Sequence, residues 1–135
     1  MACEVSWLRE DQIVLIRLFD QCTVEDIIEA NRIASQYTAQ ASGSVHMIVD
    51  VTAITSYPVN VFEMGNAVKN RDTSKLGWLI LIIKQNGLLH FAASTLMRWF
   101  AHRNRWTVAN SVDEALIVID RYDESLLVAD QKVDE

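Results

Sequence analysis

Between Lys75 and Lys84 the chain reads KLGWLILIIK, and this stretch limits the possible folds more than any other. Its apolar run, Trp78 to Ile83, has the length of a strand and no polar–apolar alternation. A strand that is apolar on both sides has to be covered on both faces, which places it inside a sheet with helices above and below. Asn86-Gly87 ends the segment with a turn signal. The run is far shorter than the roughly 20 residues that cross a bilayer, so stable membrane insertion is not expected.

Around this strand the chain divides into short regular elements. Val5–Leu8 and Ile13–Phe19 are β-prone runs joined by the polar stretch Arg9-Glu10-Asp11-Gln12, which suits a hairpin. Arg17 is the one break in the otherwise apolar second run. Helix 1 follows, with Thr23 as N-cap, Glu25 and Asp26 in the first turn, and an apolar stripe of Ile27, Ala30, Ala34, Tyr37 and Ala41. Ser42-Gly43-Ser44 stops it. Val45–Val51 is a strand, and Thr52–Pro58 reads as a loop. Helix 2 is expected over Val59–Asn70 and helix 3 over Leu88–His102, then a strand near Trp106–Ala109. Ser111 and Glu114 form a capping box for helix 4, whose buried stripe is Val112, Ala115, Leu116 and Ile119.

The resulting order, β-β-α-β-α-β-α-β-α, predicts an α/β domain with a mostly parallel central sheet and right-handed crossovers, covered by four helices. Residues 1–122 make a single domain, and residues 123–135 an acidic C-terminal tail. At 135 residues the chain has room for one core and not two. A net charge of −6 works against nucleic-acid or anionic-membrane binding, and no nucleic-acid partner is expected. Met1–Leu8 does not read as a signal peptide, so Cys3 and Cys22 are expected as free thiols in a cytoplasmic protein.

Four segments in order carry a family resemblance: VHMIVDVTAITSYP, KLGWLILI, NGLLHFAASTLMRWF and RWTVANSVDEAL. Together they resemble the bacterial STAS family of sulfate-transporter and anti-sigma-factor-antagonist domains, in its SpoIIAA-like branch. The resemblance covers most of the chain from Cys22 to about Tyr122. It implies a non-catalytic module that binds a partner protein or a small ligand. It also implies a candidate surface around Asp50, Thr52, Ser56, Tyr57 and Asn60. In the antagonists a serine at the start of helix 2 is phosphorylated to switch partner binding. Here that place falls near Val59-Asn60, where there is no hydroxyl, and Ser56 lies on the other side of Pro58. The branch also resembles CRAL-TRIO lipid-binding domains in outline, so a carrier of a small apolar ligand or lipid stands as the alternative.

Each candidate has two readings. Asp50 lies either at the crevice where open α/β sheets bind ligands, or in a turn whose N–H groups its carboxylate accepts. His46, His90 and His102 lack the spacing of a metal motif, so no metal or cofactor is expected. There is no Gly-x-Ser-x-Gly elbow and no glycine-rich phosphate loop, and an enzyme is not expected. On the helix 3 wheel Leu88, Leu89, Ala92, Ala93, Leu96, Trp99 and Phe100 fill a core face, while Phe91 stands opposite with Arg98 and His102. Phe91, Arg98 and His102 are therefore either an interface, for a homodimer or another protein, or ordinary surface residues, and Trp99 joins the candidate interface because Trp99 and Trp106 add more aromatic surface than one helix face needs. Arg98, Arg103 and Arg105 near the end of helix 3 either offset its dipole or receive an anion.

Overall fold

The computed structural model describes residues 2–56, 76–83 and 105–121. Within them the elements are β1 (Cys3–Arg9), β2 (Ile13–Gln21), α1 (Val24–Gln40), β3 (Val45–Ser56), β4 (Leu76–Ile82) and β5 (Arg105–Ala109). A second described helix, α2, covers residues 112–121. The helices expected at Val59–Asn70 and Leu88–His102 lie outside the described residues, as does the tail from residue 123.

The five strands form one sheet in chain order, β1-β2-β3-β4-β5. β1 and β2 are an antiparallel hairpin, and β2 to β5 run parallel, as the alternation of strands and helices requires. The hairpin turn closes through a bond from Gln12 N–H to the Arg9 carbonyl, 3.0 Å. Asp11 adopts φ 66° there, a conformation that aspartate tolerates better than most residues. Its carboxylate accepts from the Ser42 N–H at 2.9 Å and from the Ser42 hydroxyl, tying the hairpin to the loop after α1.

Side-chain alternation gives the sheet two cores. Val14, Ile16, Val45, Met47, Leu79, Leu81 and Ile83 are buried on one face with Ala30, Ala34 and Ala41 of the α1 stripe. Trp7 meets Tyr37 edge-on across this layer, ring centroids 5.3 Å apart. On the other face Ile13, Leu15, Ile48, Ile80 and Ile82 pack with Ala109 and with Ala115 and Ile119 of α2. The all-apolar hexapeptide thus feeds both cores in alternation, which explains why no polar residue interrupts it.

Caps set both helices as the sequence predicts, with one difference. Asp26 N–H donates to the Thr23 hydroxyl at 3.2 Å, and the Asp26 carboxylate accepts the Thr23 N–H at 3.0 Å. Glu114 N–H donates to the Ser111 hydroxyl at 3.1 Å, but the Glu114 carboxylate accepts from Asn110 N–H, one residue before the cap. At the end of α2, the Asp120 carboxylate accepts from both terminal nitrogens of the Arg9 guanidinium, Nη1 at 2.7 Å and Nη2 at 3.3 Å, joining the hairpin to the helix.

The expected loop after Val51 is corrected. β3 continues to Ser56, and its register against β2 shifts between Arg17 and Phe19. The shift is a bulge around residues 51 and 52, which lets the polar stretch stay in the ladder instead of leaving it.

Candidate functional site

Asp50 causes that bulge. Its Oδ1 accepts both the Thr52 N–H, at 2.9 Å, and the Thr52 hydroxyl, at 2.7 Å. A carboxylate bonded to the N–H two residues on bends the chain as an Asx turn does. Of the two readings for Asp50, the structural one describes Oδ1. Asp50 also sits within β3, six residues before its end, and not at the strand terminus that the sequence suggested.

The in-register neighbours of Asp50 form a charged row. Glu4 of β1 pairs with Arg17 of β2, and Arg17 pairs with Asp50 of β3. In-register side chains share a face, here the face of Ile13, Leu15 and Ile48. Glu4 and Arg17 are exposed and Asp50 is half-buried. The row is level with Ile82 and Ala109, the carboxyl ends of β4 and β5.

Ser56 is the last residue of β3. Tyr57, Asn60, Phe91, Arg98, Trp99 and His102 lie outside the described residues. Of the sequence candidates, the described structure brings Asp50 and Thr52 into contact and places Ser56 further along the same strand.

A constellation that sequence reasoning missed lies where β3 meets β4. The register shifts between Val45 and Met47, leaving Gly77 and Trp78 opposite His46. His46, 5% exposed, accepts the Trp78 N–H at ring Nδ1, 3.0 Å, and its backbone N–H donates to the Gln12 carbonyl at 2.9 Å. A neutral imidazole that accepts at Nδ1 carries its proton on Nε2. A Cβ on Gly77 would lie 2.5 Å from Nδ1 and 2.7 Å from Cε1 of this ring. The signal in the sequence was the isolated glycine inside an apolar strand, which marks a bulge or a close approach.

The thiols are unsuited to nucleophilic work. Burial pushes Cys22 up to about 11, with Asp26 and then Cys3 adding to it. Cys3 is also raised, by burial first and then by Asp26 and Glu29. Both are free and stay protonated near neutral pH, where the thiolate is the reactive form. Asp26 moves the other way. Hydrogen bonds from the Thr23 backbone, the Thr23 hydroxyl and Ala2 N–H hold its carboxyl below the ordinary range against the opposing effect of burial. Among the described residues no three His, Cys, Asp or Glu side chains are grouped to hold a metal ion. Trp7, Glu10, Asp11 and Gln40 line an open cleft of about 430 Å³, whose Asp11 carboxylate is engaged by Ser42. No described helix is long and apolar enough to cross a membrane.

Neither a family profile nor a curated protein matches the sequence. Solved structures do. An uncharacterized protein of the DUF3478 family from Shewanella loihica PV-4, with a SpoIIAA-like fold, superposes with a TM-score of 0.60 at 13% identity. That match covers 85% of this chain and 89% of the other. The fold is SpoIIAA-like. The unphosphorylated form of the anti-sigma factor antagonist SpoIIAA also superposes, with a TM-score of 0.52 and 14% identity over 88% of this chain and 96% of its own. The SpoIIAA-like fold is the one that the four segments VHMIVDVTAITSYP, KLGWLILI, NGLLHFAASTLMRWF and RWTVANSVDEAL resembled.

Proposed function

We propose that this chain is a regulatory module that acts by binding a partner protein and catalyses no reaction. The observation that carries the reading is the SpoIIAA-like fold, shared over 88% of the chain with an anti-sigma factor antagonist. Local chemistry agrees with it. Oδ1 of Asp50 shapes its own strand, and Cys22 is held protonated by burial. Counted along the sequence from Asp50, the place of the antagonists' phosphorylated serine falls near Val59-Asn60, where there is no hydroxyl, so partner binding is not switched by phosphate at that place.

The proposed surface runs from Asp50, Thr52 and Ser56 through Tyr57 and Asn60 to Phe91, Arg98, Trp99 and His102. It joins two copies as a homodimer or receives another protein, with aromatic and arginine residues as anchors. Sedimentation over a range of concentrations tests it. The wild type is expected to dimerise, and Phe91→Asp or Arg98→Glu to shift it to monomer. A partner captured from source cells is expected to rebind the purified wild type and not Phe91→Asp. An unchanged monomer in all three proteins, together with apolar ligand released in native mass spectrometry, would replace this reading with that of a carrier.

A further inference from the structure

The row Glu4, Arg17, Asp50 has no part in the surface just described beyond Asp50 itself. Arg17 occupies a strand flanked on both sides, on the face whose neighbouring positions Ile13 and Leu15 are buried with α2. Such positions in a largely parallel sheet are ordinarily covered and apolar. Arg17 is instead exposed, and among the described residues its side chain forms no ion pair or hydrogen bond. An arginine left open in a flanked strand marks a place where the cover over the sheet is interrupted.

That opening lies level with the carboxyl ends of β4 and β5, the end at which open α/β sheets place ligands. Its charges are ordered: carboxylate, guanidinium, carboxylate, on adjacent strands about 4.8 Å apart. Thr52 engages Oδ1 of Asp50, which leaves Oδ2 as the acceptor not used by Thr52. A simple anion would meet Arg17 but be repelled by the two carboxylates beside it, and a simple cation would meet the reverse. A molecule with both charges suits the row, its carboxylate forked on the guanidinium and its ammonium donating to Glu4 or Asp50 beside it.

We propose that this row binds a small zwitterion, an amino acid or a close relative with one carboxylate and one ammonium group. The site shares Asp50 with the proposed partner surface, but it does not rest on the regulatory reading and its test does not involve a protein partner. The ¹⁵N-labelled full chain is titrated with glycine, β-alanine and γ-aminobutyrate, and separately with acetate and methylammonium. At least one zwitterion is expected to give saturable shifts at the amides of Glu4, Arg17 and Thr52, with each single-charge control at least roughly tenfold weaker. Arg17→Gln, an exposed change, is expected to abolish those shifts with an otherwise unaltered spectrum, and Glu4→Gln to weaken them. Acetate binding as tightly as the zwitterions would reduce the row to a plain anion site and overturn the proposal. So would binding unaltered in Arg17→Gln, or no saturation by any of the three zwitterions.

Discussion

Gly77→Ala is the substitution whose cost follows most directly from the geometry. The added Cβ would lie 2.5 Å from Nδ1 and 2.7 Å from Cε1 of His46, whereas ordinary carbon contacts begin near 3.5 Å. The ring would have to retreat by about 1 Å to restore normal contact. It has little room to do so, because His46 is buried and its Nδ1 is held 3.0 Å from Trp78 N–H. Two costs then compete. Keeping the ring in place is overpacking, about 1–3 kcal/mol. Moving it costs the Trp78 N–H its acceptor, about 1–3 kcal/mol for a buried donor. Alanine recovers about 0.4–1 kcal/mol by restricting the unfolded chain, since Gly77 does not have a positive φ that alanine would strain. The net expectation is a loss of about 1.3 kcal/mol, read in urea unfolding as a midpoint lower by roughly 0.7 M at an ordinary m-value of about 2 kcal/mol/M. A double-mutant cycle isolates the cause. With His46→Ala already present the clash is gone, so adding Gly77→Ala is expected to cost at least about 1 kcal/mol less than it does alone. Additive costs, or a single variant within about 0.5 kcal/mol of wild type, would refute the argument.

Further predictions rest on other contacts. Asp26→Ala removes the reciprocal cap of α1 and is expected to cost about 1 kcal/mol at neutral pH. Because the folded carboxyl titrates below its ordinary value, that contribution is present above about pH 4 and is lost as pH falls through the lowered pKa. Urea titrations should show the gap between wild type and variant closing as the pH falls below about 4, and a gap that widens there would contradict the assignment. Cys22, raised to about 11, is expected to resist iodoacetamide in the native chain at pH 7, with only about one thiol in ten thousand ionised. Rapid native labelling of both cysteines, followed by peptide mass spectrometry, would contradict its burial. Arg9→Ala separates an exposed pair that links the hairpin to α2, so it should lower melting slightly at low salt and not at all at high salt. An effect that persists at high salt would mean that Arg9 acts through packing.

The layering of the domain was legible because it depends on periodicity. The alanine stripe of α1, the stripe of α2 and the uninterrupted Trp78–Ile83 each state in local sequence which sides have to be covered. Thr23 with Asp26 and Ser111 with Glu114 set where helices begin, since capping involves residues three apart in the chain. The candidate site was legible in part. Asp50 and Thr52 stood out in sequence and meet in the structure, but the strand does not end there, because one carboxylate turns the expected loop into a bulge.

What the chain alone settled is therefore what neighbours in sequence determine: the buried faces and the caps of the described elements. Which residues meet across strands belongs to the tertiary structure. Only pairing across β1, β2 and β3 sets Glu4 beside Arg17 and Arg17 beside Asp50, residues 13 and 33 positions apart. The same holds for His46 over Gly77, where a one-residue shift between strands decides that a ring lies against a backbone. Face-to-face register follows from the apolar pattern and, in the hairpin, from its turn, but the one-residue shifts after Asp50 and at His46 arise only where segments distant in sequence pair.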